Sequence, residues 1–141
     1  MMAVTPVYAS WSVDGIPIAF YASGQPEYHQ ITSDGSGGTI IAWQDSRGGE
    51  FDIYAQRVDA SGTVLWTGGG VAICTATGDQ TRPRITSDGS GGAIITWQDD
   101  RSGGNSDIYA QRVDASGTAL WTARGVGICT AANGQYRPKI I

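Results

Sequence analysis

The strongest constraint on this chain is that it repeats itself. Ile31-Thr-Ser-Asp-Gly-Ser-Gly-Gly38 returns as Ile85 to Gly92, and Asp52-Ile-Tyr-Ala-Gln-Arg-Val-Asp-Ala-Ser-Gly-Thr63 returns as Asp107 to Thr118. With one glycine inserted, roughly 40 of 55 aligned positions are identical. Trp11, Trp66 and Trp121 lie 55 residues apart, and Ile31, Ile85 and Ile140 mark a second common position. Two near-identical stretches fold as two copies of one unit, so the unit is the object to explain. These phases divide the chain into a partial repeat over 1–30, whole repeats over 31–84 and 85–139, and the start of another at 140–141.

Short apolar and β-branched runs separated by Gly- and Asp-rich turns predict four strands per unit. In the second unit they are Arg82 to Ser87, Ala93 to Gln98, Asp107 to Val113 and Thr118 to Thr122. Asp88-Gly-Ser-Gly-Gly92 and Asp114-Ala-Ser-Gly117 supply tight turns, and Asp99 to Ser106 a longer loop. Glycine reaches positive φ freely and aspartate bonds nearby amides, which suits both to such turns. The stretch Gly125 to Thr130 either extends the fourth strand or crosses to the next unit. A four-stranded meander must cover both its faces, and one unit alone cannot. Sheets stacked face to face around an axis can, so the expected fold is all-β, a set of β-propeller blades whose ring is incomplete within one chain. Helical repeats would need a 3.6-residue apolar period, which is absent.

Composition narrows the function classes. A net charge of −4 and a pI near 4.7 argue against nucleic acid, whose phosphates call for a basic face. No apolar run approaches the roughly 18 residues that a membrane-spanning helix requires. Met1 to Pro6 lacks a charged region and a continuous apolar stretch behind it, so no signal peptide is expected. The two cysteines, Cys74 and Cys129, occupy one position in successive units, which suggests a small buried side chain rather than a disulfide framework.

The order Pro, Ile, Asp-Gly turn, Trp-x-Asp-x-Arg, Asp-Ile-Tyr, Asp-x-x-Gly-Thr and Trp resembles the blades of sialidase-like, Asp-box propellers over both whole units. That family carries a Ser-x-Asp-x-Gly-x-Thr-Trp turn between strands three and four. In Asp59-Ala-Ser-Gly62-Thr-Val-Leu-Trp66 the Asp-to-Gly gap is one residue longer, and Thr and Trp are separated. The quinoprotein (PQQ-type) propeller repeat is similar to about the same degree. The resemblance thus implies a fold more than an activity, along with a bacterial cell-surface or extracellular origin. A sialidase would need an arginine cluster, a Tyr-Glu pair and an acid Asp from different blades. The arginines here, Arg47, Arg57, Arg82, Arg101, Arg112 and Arg137, mostly recur once per unit. Equivalent residues spread around a ring do not converge, so no catalytic residue is assigned and no enzyme is expected.

Ligand-binding candidates lie in the loop after the second strand: Asp45, Arg47 and Asp52, repeated as Asp99, Arg101 and Asp107. Beside Trp43 and Trp97 they offer a carboxylate, a guanidinium and a ring, a set that suits hydroxyl-rich ligands. The favoured alternative is that Arg47 bridges Asp45 and Asp52 and pins its own hairpin. Trp11, Trp66 and Trp121 are expected to dock blade against blade. One Asp per Asp-Gly turn falls short of a calcium site, so neither metal nor cofactor is expected. Two units cannot close a ring of four to eight blades, and interchangeable faces favour a homo-oligomer that completes it. The expected function is a non-catalytic binding, interaction or self-assembling scaffold with glycan or protein ligands. The alternative is a fragment of a sialidase-like hydrolase whose catalytic residues sit on absent blades.

Overall fold

Each repeat unit builds one sheet, but the sheets start five residues ahead of the 31–84 and 85–139 phases, at Pro26 and Gln80. In the computed structural model, which describes residues 14–19 and 24–141, β1 (Pro26–Ser33), β2 (Thr39–Asp45), β3 (Asp52–Val58) and β4 (Val71–Cys74) form one four-stranded sheet in that order. Four further strands form the second: β5 (Gln80–Ser87), β6 (Ala93–Asp99), β7 (Asp107–Val113) and β8 (Val126–Cys129). All pairings are antiparallel. No helix occurs among the described residues.

The first hairpin of each sheet is built by its aspartate. Asp34 Oδ1 accepts hydrogen bonds from the Ser36 and Gly38 amides, both at 2.8 Å. Its other oxygen takes Arg57 Nε and an Nη of the same guanidinium at 3.1 and 2.9 Å, so the turn is tied to β3 two strands away. Asp88 does the same with Ser90, Gly92 and Arg112. Charge-assisted bonds of this kind are among the strongest local restraints available to a loop.

The fourth strand is not where the apolar run Thr118 to Thr122 predicts. That run makes only an isolated bridge, Val113 to Ala119, as Val58 to Val64 does in the first sheet. A buried glutamine is the reason. Gln111 Oε1 accepts the Trp121 amide at 2.9 Å and its Nε2 donates to the Thr122 carbonyl at 2.9 Å. Gln56 holds Trp66 and Thr67 in the same way. With these groups bound to a side chain, the segment keeps one backbone bond to the third strand, Leu120 N to the Arg112 carbonyl at 2.8 Å (Leu65 to Arg57 in the first sheet), and does not extend into a ladder. The chain then crosses the ring of the strand-two tryptophan at Gly70, where φ is +90° and a Cβ would lie 2.6 Å from Trp43 Cη2. Gly125 repeats this over Trp97 at 2.5 Å. Only beyond these glycines do β4 and β8 pair with β3 and β7.

The two sheets pack through one continuous core. Ile40, Ala42, Ile53, Ala55, Trp66, Ile73 and Cys74 of the first meet Ala93, Ile95, Trp97 and Val113 of the second. Burial of these apolar side chains is the dominant stabilising term, at about 25 cal/mol per Å².

Candidate functional site: the faces between repeats

The residues that unite the sheets come from turns and strand ends. Trp66 Nε1 donates to the Ala115 carbonyl at 3.0 Å, and the Arg57 guanidinium donates to the same oxygen at 2.9 Å. One turn of the second sheet is thus held by two side chains of the first. At the opposite end, the Arg82 amide donates to Gln44 Oε1 at 2.8 Å and the Gln80 amide to the Phe51 carbonyl at 2.6 Å. The Phe51 amide in turn donates to Asp79 Oδ1 at 2.9 Å, and Gly78 N to Glu50 Oε2 at 3.0 Å.

Past the second sheet the same connections recur. The Gln135 amide donates to the Ser106 carbonyl at 2.6 Å and the Arg137 amide to Gln98 Oε1 at 3.0 Å. Residues 135–137 therefore lie on the second sheet as Gln80 to Arg82 lie on the first. The rest of that face is open. Trp121 is 37 % exposed against 7 % for Trp66, and Ile128 is 60 % exposed against 4 % for Ile73. Trp11, the third member of the tryptophan series, lies outside the described residues.

The loop residues singled out by sequence come together in both repeats, on buried ground. Asp45 takes Arg47 through an ion pair at 2.5 Å, the Arg47 amide at 2.9 Å and Trp43 Nε1 at 3.2 Å. Arg47 also donates to the Gly69 carbonyl at 3.1 Å and stacks 3.7 Å above the Tyr54 ring. In the second copy Asp99 takes Arg101 and Trp97 Nε1, the latter at 2.7 Å, and Arg101 lies 3.8 Å above Tyr109. Arg101 reaches further, to the Arg124 carbonyl at 2.8 Å and Cys74 Sγ at 3.2 Å, so this loop contacts the neighbouring sheet. Burial pulls the Asp45 carboxyl upward, but the bonds from Arg47 and Trp43 outweigh it and leave the group below its usual range. Both of its oxygens are occupied. Chemically, this constellation pins a hairpin and an interface.

Asp52 and Asp107 differ from their partners. Asp52 stands directly across the ladder from Asp45, and Asp107 from Asp99. Burial first, then the charges of Glu50 and Asp45, push the Asp52 carboxyl up to about 6, with Arg47 opposing only in part. Burial pushes the Cys74 thiol up to about 11, which keeps it protonated and unreactive at neutral pH. Both cysteines are free, Cys74 buried and Cys129 half-buried. No group of three or more His, Cys, Asp or Glu side chains with metal-binding geometry occurs among the described residues.

The sequence reading missed Gln44, Gln56, Gln98 and Gln111. Their signal was present: each is a polar residue repeated inside an otherwise apolar or alternating strand, where burial demands a partner. It also missed a backbone feature. Tyr28, Arg82 and Arg137 occupy equivalent positions and all have positive φ, at 51°, 54° and 58°. In β1 and β5 that residue sits at a register shift, a bulge that breaks the ladder between Glu27 and Gln30 and between Thr81 and Arg84.

Comparison with family models, characterised proteins and solved structures finds no match for this chain.

Proposed function

We propose that the protein is a non-catalytic β-propeller repeat scaffold that assembles by docking the open face of its second sheet onto the first sheet of another copy. The observation that carries this reading is the pair Trp66 and Trp121: one surface, written twice, is covered once and left open once. The covering surface is also present twice. Ala115 in its turn receives Trp66 and Arg57, and Ala60 occupies the equivalent turn of the first sheet, where it is exposed. One chain therefore carries both halves of a head-to-tail contact, with Trp121 and Arg112 of one copy aimed at the Ala60 carbonyl of the next. Such contacts close into rings when the rotation per unit allows, and a propeller has that geometry. The non-catalytic reading is supported by the repetition itself, since equivalent side chains in successive blades point to equivalent places.

The test uses two blocked variants. Trp121→Glu charges the open face, and Ala60→Trp fills the turn that receives it. Each alone is expected to run as a single chain of 14.8 kDa. Mixed, they are expected to form a one-to-one pair, because each retains the half the other lacks. A mixture that stays at the single-chain mass would contradict the proposal.

A further inference from the structure

The two repeats are near-identical, yet the positions where they differ most meaningfully converge on one groove of about 380 Å³. That volume falls at the lower end of the range of ligand sites, about 300–1,000 Å³. It lies along the starts of β1 and β5, with Tyr136 at its far side, and so is complete within one chain. Glu27, Thr81 and Tyr136 are equivalent by repeat, each four residues before Ile31, Ile85 and Ile140. Tyr28 and Arg82 follow as the equivalent left-handed residues. The backbone is therefore repeated while the side chains are not. Where the rest of the molecule presents the same groups over and over, this groove gathers a carboxylate, a hydroxyl, a guanidinium and two phenol rings.

The backbone at the groove is strained: Tyr28 and Arg82 both have positive φ, and each sits at a register shift in its ladder. A non-glycine residue at positive φ is unfavourable because its Cβ crowds the following carbonyl, and such strain gathers at binding sites. The bulge frees the Arg82 amide for Gln44 Oε1 at 2.8 Å, and Arg82 then reaches Gln98 Oε1 at 3.4 Å. Gln44 Nε2 approaches Glu27 Oε2 at 3.4 Å. These long side-chain contacts hold the polar groups in place and leave them capacity for a ligand. Tyr28 and Tyr136 are 53 % and 62 % exposed, open rings on either side of a polar floor.

We infer that this groove binds a neutral saccharide. One carboxylate and one guanidinium balance, so the floor carries no net charge with which to select an ion. Interleaved donors and acceptors match sugar hydroxyls, each of which both donates and accepts. Exposed tyrosine rings provide apolar faces for the C–H faces of a pyranose. The chain's net charge of −4 and the position of Glu27 disfavour phosphate and other anions.

Every lining residue belongs to one chain, but Tyr136 shares the outer face of the second sheet with Trp121, so binding is measured on the parent and on the single-chain Trp121→Glu variant alike, which separates it from assembly. The whole chain is screened on an array of neutral, sulfated and sialylated glycans, and the best neutral hit is then titrated calorimetrically. Binding to neutral glycans is expected. Arg82→Ala and Tyr136→Ala are each expected to weaken it about tenfold or more. Ser116→Ala, on an exposed turn away from the groove, is expected to leave it unchanged. Circular dichroism spectra matching the parent show that the variants are folded, and Glu27→Gln serves as a second, isosteric probe with the same expected direction. Absence of any neutral hit, hits confined to anionic glycans, or a titration that Arg82→Ala, Tyr136→Ala and Glu27→Gln all leave unchanged would each overturn it.

Discussion

The first and second sheets have nearly the same sequence and the same internal hydrogen bonds, yet their fourth strands live in different environments. Ile73 and Cys74 are buried, whereas Ile128 is exposed and Cys129 only half-buried. Within each sheet, the Asp turns, the Gln56 and Gln111 clamps and the glycine crossings are duplicated with matching distances. The difference teaches that a sheet of this kind specifies its own meander but not its own core. Ile73 and Trp66 owe their burial to the sheet that stands next to them, as the exposure of Ile128 and Trp121 shows.

Four substitutions test that contrast, in order of falling effect. Trp66→Ala removes a side chain buried between the sheets and is expected to cost about 3–5 kcal/mol. Trp121→Ala, at the equivalent open position, is expected to cost far less under conditions where single chains prevail. Urea denaturation of both variants decides it, and equal losses would break the contrast. Gly70→Ala and Gly125→Ala should behave alike, because each drives a Cβ into the tryptophan of its own sheet. A loss of about 1–3 kcal/mol is expected for both, read as lowered urea midpoints with an unchanged slope.

Arg57→Met and Arg112→Met sharpen the comparison. Both variants strand a buried turn aspartate, but only Arg57 also bonds the neighbouring sheet at Ala115. Arg57→Met is therefore expected to be the more costly by about 1 kcal/mol, the worth of one such bond, in a paired denaturation experiment.

The last test concerns pH. The Asp52 carboxyl ionises near 6 in the folded chain against an ordinary value of 3.8. Between those values the folded state holds more of its proton than the unfolded state does. The contribution of Asp52 to stability therefore falls as pH rises from about 4 to about 6 and is constant above that. Asp34 and Asp45, held below their usual range, act in the opposite direction and lose their contributions at lower pH. Asp52→Asn is expected to remove the Asp52 component, so the variant gains on the parent as pH rises through that window. Thermal unfolding at pH 4, 5, 6 and 7 measures it, and a constant difference between the two proteins would contradict the assignment.

Much of this architecture was legible because it is local. The Asp34 and Asp88 turns follow from Asp and Gly at fixed offsets, and the strands from short apolar runs between them. The same local reasoning placed the fourth strand at Thr118 to Thr122, and there it failed. What moves the strand to Val126–Cys129 is a side chain, Gln111, that captures the intervening backbone from within β7. A second reason is Gly125, whose role depends on a tryptophan 28 positions earlier. The loop set Asp45, Arg47, Asp52, Asp99, Arg101 and Asp107 was legible as a cluster, but its burial was not, since that depends on how the next sheet arrives. The groove between β1 and β5 was least legible of all. Its floor is assembled from a bulge, and bulges arise from cross-sheet bonds such as Arg82 to Gln44 that no linear spacing announces.

The central claim is that the open face at Trp121 is an assembly surface for another copy of the chain. Light scattering of the unmodified protein, taken over a wide range of concentrations, tests it most directly. The account predicts a mass that is a multiple of 14.8 kDa and that returns to 14.8 kDa on dilution or in Trp121→Glu. A mass of 14.8 kDa for the unmodified chain at every concentration would contradict it.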